Sequence, residues 1–361
     1  MPTLTEHDMQ RIAFSILHAA GAPEAHAKTV SDHLSLANLS GHDSHGFIRI
    51  MQYIRDIKNG GVVPDANPET VLDFQAIAQL DGKKSFGQVA MTAATKLAIE
   101  KARKFGIGMI TVKNLGHTGR IGTYNEMIAR ENMVGLVCTG FAGASQGIVS
   151  PFGGKTGKLG TNPISYTFPS DEEGPILLDM ATSVGAEGKL RVYRARGHDL
   201  PDKWVLDSEG NPSENPNDFY EGGAILPVGG LAGGHKGFGL GMVATILGAV
   251  MAETGDDSEG TGSIYDGGDG GINGSTVIAI NAEALGPIDE TKKRISNFVK
   301  FLKDVEPMDG SEGVLYPGEV EIRNRVNKRA SGVEIEDATW NQVCELIDEY
   351  NVRAELEPLP N

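Results

Sequence analysis

The segment His42-Asp43-Ser44-His45-Gly46-Phe47-Ile48-Arg49 gathers side chains that can move protons and hold anions. A helix beginning near Ser44 would place His45, Arg49 and Tyr53 at i, i+4 and i+8, along one face. An imidazole, a guanidinium and a phenol in one stripe can protonate a carbonyl oxygen and hold a carboxylate in a bidentate clamp. The same residues also suit a solvated helix start, or a metal site built from His42, Asp43 and His45. No HExxH or comparable ligand pattern is present, so no metal is expected. A second cluster, Asn114-Leu115-Gly116-His117-Thr118-Gly119-Arg120, follows a strand-like run and opens a helix. Free backbone N–H groups there favour anions, and the flanking glycines let the chain approach a ligand closely. Two further groups are Leu178-Asp179-Met180-Ala181-Thr182-Ser183, at a strand end, and His235-Lys236-Gly237, where a lysine beside glycine suits a phosphate or a carboxamide.

Three other patterns imitate known sites. Gly143-Ala144-Ser145-Gln146-Gly147 has the GxSxG form of a serine-hydrolase elbow. That elbow demands a helix directly afterwards, whereas Pro151 and two glycines follow. A tight turn whose hydroxyl touches a ligand fits better, and a hydrolase using Ser145 stands as the alternative from another class. Gly239-Leu240-Gly241-Met242-Val243-Ala244 fits GxGxxA but sits inside a helix, and Gly153 to Gly160 misses the phosphate-loop spacing. With 48 glycines in 361 residues, chance matches of this kind are expected.

The elements that must carry these residues alternate in type. Thr5 is a candidate N-cap for a helix through about Ala20. Pro23 opens a second helix to about Ser40, and a third ends at Gly60-Gly61. Strand pieces lie in VLDFQAIAQLDG, and a helix over 87–105 is closed by Gly106. A strand at 107–114, a helix at 121–132 and strands at 133–140, 164–169 and 176–182 follow. The stretch 209–235 reads as loop, 235–253 as a buried helix, 254–274 as a glycine-rich acidic loop and 275–283 as a strand. Helices return near 289–303 and 336–351. This is an α/β pattern. It divides into a helical region (1–75) packing with a mostly helical C-terminal region (231–361), around an α/β cofactor-binding core (76–230).

The formal charge of −16 supplies no positive field for nucleic acid or an anionic membrane. The two cysteines, Cys138 and Cys344, form no CxxC pair, and the N-terminus lacks a basic leader followed by an apolar run, so a cytoplasmic protein is expected. Residues 101–165 differ from the rest: eight basic residues against Glu126 and Glu131 give a local +6. That window holds His117 and Ser145 and could focus an anionic ligand, with Arg120 and Lys155 as candidate second cations.

Taken together, GHDSHGFIRI, LDGKKSFGQ, NLGHTGRIGTYNE, SPFGGKTGKLGTNPISYTFP, LDMATSVGAEGK, HKGFGLGM and LYPGE run in order from residue 41 to 319. The chain resembles the type-2 malate/L-lactate dehydrogenase family, and within it the hydroxycarboxylate dehydrogenases most. That resemblance implies an NAD(P)-dependent oxidoreductase interconverting a small anionic 2-oxo acid and its 2-hydroxy counterpart, with NAD preferred over NADP. A cyclic-imine carboxylate reductase is the alternative within the family. The implied fold is a three-layer α/β/α arrangement around a mixed sheet, as in L-sulfolactate dehydrogenase and not of the Rossmann type, with a helical region from both chain ends. The implied assembly is a homodimer. By position, Ser44, His45, Arg49 and His117 match catalytic and substrate positions, with Tyr53 and Thr161 on the substrate. Ser145, Asp179, Met180, Ala181, Thr182, Lys236, Gly237, Pro317, Gly318 and Glu319 match cofactor contacts. The loop 209–235 departs from the family, with NPSENP in place of PTTDP.

Overall fold

The structure, a computed structural model, describes residues 1–143, 147–252 and 271–352. β1 (Thr3–Leu4) leads into α1 (Glu6–Ala19), whose start is set by a capping box. The Asp8 N–H donates to Thr5 Oγ1 at 3.0 Å, and the Thr5 N–H donates back to the Asp8 carboxylate at 3.3 Å. α2 (Glu24–Leu39) begins one residue later than expected, with Pro23 at its N-cap.

The catalytic stripe is not one helix. Asp43–His45 forms a 3-10 turn, and α3 (Arg49–Lys58) starts only at Arg49. Asn38 causes the break: its Oδ1 accepts the Phe47 N–H at 2.6 Å, and a Cβ on Gly46 would overlap that same oxygen. The chain passes too close to Asn38 to continue helically.

A seven-stranded sheet follows, in the order β2-β3-β4-β11-β5-β6-β7. Its strands are β2 (Glu69–Phe74), β3 (Ile77–Ser85), β4 (Ile107–Leu115), β5 (Met133–Gly143), β6 (Ile164–Phe168), β7 (Ile176–Met180) and β11 (Gly271–Asn281). Only β3 and β4 pair in parallel. α4 (Gly87–Phe105) and α5 (Gly122–Arg130) cover one face. Ala90, Ala94, Ala98 and Ala102 recur every fourth residue and are fully buried, which brings α4 close to the sheet. α8 (Gly230–Thr245), continued by a π turn at Ile246–Val250, covers the other face. The expected three-layer α/β/α arrangement around a mixed sheet is therefore present. Among the described residues no helix is long and apolar enough to cross a membrane.

Several expectations need correction. The stretch 209–235 is not simply loop. After α6 (Glu187–Arg196) and β8 (Val205–Leu206) it holds β9 (Pro212–Ser213), α7 (Pro216–Tyr220), β10 (Ala224–Ile225) and the start of α8. Helix α8 tolerates its glycines because the chain packs tightly there: a Cβ on Gly237 would overlap the Val228 backbone. Nor is α8 wholly buried, since Leu240, Met242 and Val243 are exposed. Of the acidic loop expected at 254–274, residues 253–270 lie outside the described residues, and 271–274 belong to β11. That strand comes from the region read as mostly helical, yet it occupies the centre of the sheet.

After β11 the chain forms α9 (Ile288–Lys303), α10 (Glu319–Ser331), β12 (Val333–Glu334) and α11 (Asp337–Glu349). β12 pairs antiparallel with β1, and Val343 and Leu346 of α11 join Met9, Ile12, Ile16 and Ile50 in one buried cluster. The two chain ends thus meet in a shared helical layer.

Candidate active site

The His45 and His117 rings stack, with centroids 5.6 Å apart and planes 22° from parallel. His45 comes from the 3-10 turn and His117 from the loop between β4 and α5. Ser44 Oγ lies 3.0 Å from His45 Nδ1, and Tyr53 Oη lies 3.0 Å from His117 Nδ1. Arg49 folds back over the turn, with Nε donating to the Ser44 carbonyl at 2.6 Å and Nη1 to Gln52 Oε1 at 2.6 Å. The four catalytic candidates therefore converge although no single helix face carries them. Tyr53 is 2 % exposed, and its hydroxyl is engaged by His117 and Gln88 rather than offered to an incoming ligand.

Residues not singled out in the sequence hold this arrangement. His33 of α2 accepts the Arg120 N–H at 2.9 Å, which anchors the loop after His117. Gly119 there has φ +71°, and a Cβ would collide with the His33 ring. Tyr124 Oη donates to the Thr118 carbonyl at 2.5 Å. These contacts join segments distant in sequence, so no local signal announces them.

Burial, followed by the Arg49 charge, draws the His45 imidazole down to about 3 and holds His117 well below its ordinary value. His33 is also drawn to about 3, by burial and then by Arg120. The site thus carries neutral imidazoles at neutral pH. A stability dependence follows. Below about pH 6.5 the unfolded chain protonates all three histidines, whereas the folded chain leaves them neutral. Stability should be unaffected by them above that pH. It should be lost as pH falls, by about 1.4 kcal/mol per pH unit per histidine. Urea unfolding at pH 7 and pH 5 measures this; an unchanged midpoint would refute it.

Four of the residues matched to cofactor contacts, Asp179 to Thr182, lie along the end of β7. Asp179 Oδ2 accepts the Gly122 N–H at 2.8 Å and lies 3.8 Å from Arg120 Nε, and burial raises its carboxyl above the usual range. The Leu177 N–H donates to the Pro317 carbonyl at 2.8 Å, so the Pro317-Gly318-Glu319 turn lies against the same strand. Gly318 has φ +98°, and a Cβ would meet Leu177 at 3.1 Å. Glu319 is already committed, to Lys303 at 2.7 Å and Arg323 at 2.6 Å. Beyond Met180 and Ala181, Thr182 Oγ1 donates to the Thr161 carbonyl at 3.0 Å and faces Gly241 of α8. Lys236 and Gly237 lie one turn earlier on that helix, with Lys236 exposed. Ser145 lies outside the described residues.

A cavity of about 430 Å³ opens beside the turn, lined by Leu177, Gly318, Arg130 and Lys292. Its lining mixes Arg130, Lys292, Arg325 and Arg329 with Glu126, Glu173 and Glu321, so the fit to a nicotinamide cofactor rests instead on the exposed Lys236 and the closely packed Gly318 turn. A second cavity, of about 580 Å³, lies against Ser44, Arg49 and Gln52 and is closed by Gly188 and Arg191 of α6. Arg120 is not a free second cation. Its side chain is 1 % exposed and bound to Glu126 at 2.7 Å. Lys101 and Arg103 of the basic window are likewise paired, with Asp73 and Glu131. Three of the window's eight basic residues are therefore committed to ion pairs within the fold.

Against known proteins, the profile of the malate/L-lactate dehydrogenase family matches residues 4–344. A malate dehydrogenase of Pyrococcus abyssi is 36% identical over 344 residues, covering 94% of this chain and 92% of that one. An L-sulfolactate dehydrogenase of Methanocaldococcus jannaschii is 34% identical, covering 98% of each chain. The crystal structure of malate dehydrogenase from Entamoeba histolytica superposes with a TM-score of 0.88 at 30% identity, over 100% of this chain and 99% of that one. The overall fold is thus common ground with these proteins. The chain belongs to the malate/L-lactate dehydrogenase family, whose chemistry implies a nicotinamide cofactor.

Proposed function

We propose that the protein interconverts a small anionic 2-oxo acid and its 2-hydroxy acid by hydride transfer, with NAD as the preferred cofactor and NADP as the alternative. The observation that carries this reading is the stacked His45–His117 pair beside Arg49. Arg49 would clamp the substrate carboxylate, with Ser44 and Thr161 near it. Asp179 to Thr182, Lys236, Gly237, Ser145 and the Pro317-Gly318-Glu319 turn would hold the cofactor, which supplies or accepts the hydride when bound.

His117, neutral in the free protein, is suited to take the hydroxyl proton during oxidation and to return it during reduction. A bound carboxylate would offset the Arg49 charge, which adds to burial in keeping both imidazoles neutral, so substrate binding raises their proton affinity when a proton must be exchanged. The relatives' names, malate and sulfolactate dehydrogenase, favour an oxo acid with a second anionic group. The exposed apolar residues of α8, among them Leu240, Met242 and Val243, support a homodimer.

The test is a panel of pyruvate, oxaloacetate, sulfopyruvate and a cyclic-imine carboxylate, each with NADH and with NADPH. Loss of 340-nm absorbance with an oxo acid is expected. Turnover of the imine alone would move the assignment to the imine reductases, and no turnover with any member would overturn it. Light scattering on the same sample should give the mass of two chains; one chain would remove the dimer.

A further inference from the structure

At the Nδ1 edge of His117 lies a buried chain of two polar groups, Tyr53 and Gln88. Gln88 Nε2 donates to Tyr53 Oη at 2.6 Å, and Tyr53 Oη lies 3.0 Å from His117 Nδ1. Tyr53 and Gln88 are 2 % and 0 % exposed. Gln88 is the second residue of α4, and Gly87 before it sits so close to the loop that a Cβ would overlap the Gly116 and His117 carbonyls. The helix start is thus built against the histidine backbone. The other end of the Gln88 amide, Oε1, is buried without a hydrogen-bond partner.

That orphan atom is informative. As placed, the amide N–H donates to Tyr53, so the tyrosine O–H must donate to His117 Nδ1, and the ring proton sits on Nε2. With the amide rotated by half a turn, Oε1 accepts the tyrosine O–H. Tyr53 Oη then accepts the His117 Nδ1–H, and Nε2 presents a lone pair. As placed, one end of the amide is unpaired, so no partner at that end fixes the amide in this arrangement.

We infer that Gln88 is a positioning residue which, acting through Tyr53, sets the tautomer of His117 and lets its Nε2 serve both as proton donor and as proton acceptor. This rests on the reading of His117 as the acid/base. In hydroxy-acid oxidation, the rotated arrangement leaves Nε2 free to take the hydroxyl proton, giving an imidazolium whose Nδ1–H remains on Tyr53. In reduction that Nε2 proton goes to the carbonyl oxygen as the hydride reaches the carbon, and the same arrangement is restored. Tyr53 does not ionise at any stage, because burial raises its phenol. The charged and titratable groups facing His117 are Arg49 and Tyr53 of α3, His45 of the turn and His33 of α2.

Two variants of the full-length protein test the relay. Gln88→Met keeps the shape and removes both hydrogen-bonding ends. Its kcat should fall at least about tenfold, with KM changed less than about twofold; a histidine held in the wrong tautomer can cost up to ~10⁴. Gln88→Glu can only accept when ionised, so it should fix the proton on Nδ1 and raise the pH limb of kcat by about one unit or more. The tautomer itself is read by nitrogen NMR of histidine-labelled protein, with the His117 signals assigned by their absence in His117→Gln. The wild type should show both ring nitrogens in exchange, and Gln88→Glu a protonated Nδ1.

If Gln88→Glu does not fold, Gln88→Met decides alone through its kcat and its nitrogen spectrum. Wild-type kcat, pH profile and nitrogen shifts in Gln88→Met would overturn the inference, as would a loss confined to KM or to thermal stability. Because the spectrum needs no turnover, a failed oxo-acid panel with a shifted tautomer would remove the functional reading and leave the relay standing.

Discussion

Replacing His117 by alanine should lower kcat for the oxo acid by ~10² to 10⁴-fold, the range for a positioned acid/base group, while cofactor binding persists. The size follows from the environment. His117 is half-buried, stacked on His45 and held at Nδ1 by Tyr53, so a water taking over the proton transfer would lack this fixed orientation. His45→Ala should also reduce turnover, because His45 bridges His117 and the Ser44–Arg49 turn. Steady-state kinetics beside fluorescence titration of NADH gives both readings. Undiminished kcat in the His117 variant would sink the assignment, and undiminished kcat in both would remove the histidine pair from the chemistry. The lowered histidines also set the direction of the pH profile: the acid limb of kcat/KM for hydroxy-acid oxidation should lie well below 6.5, because the free protein already holds its base neutral.

Replacing Glu126 by alanine should destabilise the fold by ~3–5 kcal/mol, among the largest single losses expected in the chain. Its carboxylate is 7 % exposed and sits between Arg120, at 2.7 Å, and Arg325, whose Nη1 donates at 3.0 Å. Burial pushes the Glu126 carboxyl up, but the two guanidiniums outweigh it and hold the group below the usual range. Arg120 depends on this carboxylate, since its Nε and Nη2 are buried without hydrogen-bond partners. Removing Glu126 therefore leaves the buried Arg120 without its hydrogen-bonded carboxylate, with Asp179 3.8 Å from Nε as the remaining counter-charge. Glu126→Gln keeps an acceptor and should cost less. Urea denaturation monitored by circular dichroism distinguishes the two; a Glu126→Ala midpoint equal to wild type would show that water or a side-chain shift compensates the guanidinium. The ion pair is also lost as pH falls through the depressed carboxyl value, which adds to the acid sensitivity of the buried histidines.

Glu126 also shows where reading along the chain stops. In sequence it is one of two acids in a basic window, and nothing marks it as the partner of Arg325, which is 199 residues away. Gln88 and His33 are similar cases. Each sits in an unremarkable helix and becomes important only where α4 and α2 meet the His117 loop. By contrast, Thr5, Gly106 and the glycines around His117 were legible, because capping, left-handed termination and close backbone approach depend on neighbours along the chain. Position-matched motifs located Asp179 and the Pro317 turn, but only the sheet shows them joined, through the Leu177–Pro317 hydrogen bond on β7.

Local rules and motif order therefore determined what family the chain belongs to and where most helices and strands lie, and they singled out the candidate site residues. Tertiary structure decided the rest. It placed β11 at the centre of the sheet, broke the expected catalytic helix at Gly46 and turned Arg120 from a candidate ligand cation into a packed ion pair. It also moved the histidines away from their ordinary proton affinity. The physical reason is common to these outcomes. Strand order, steric exclusion by Asn38 and removal from water are set by atoms contributed from elsewhere in the fold, and a residue's type does not encode them.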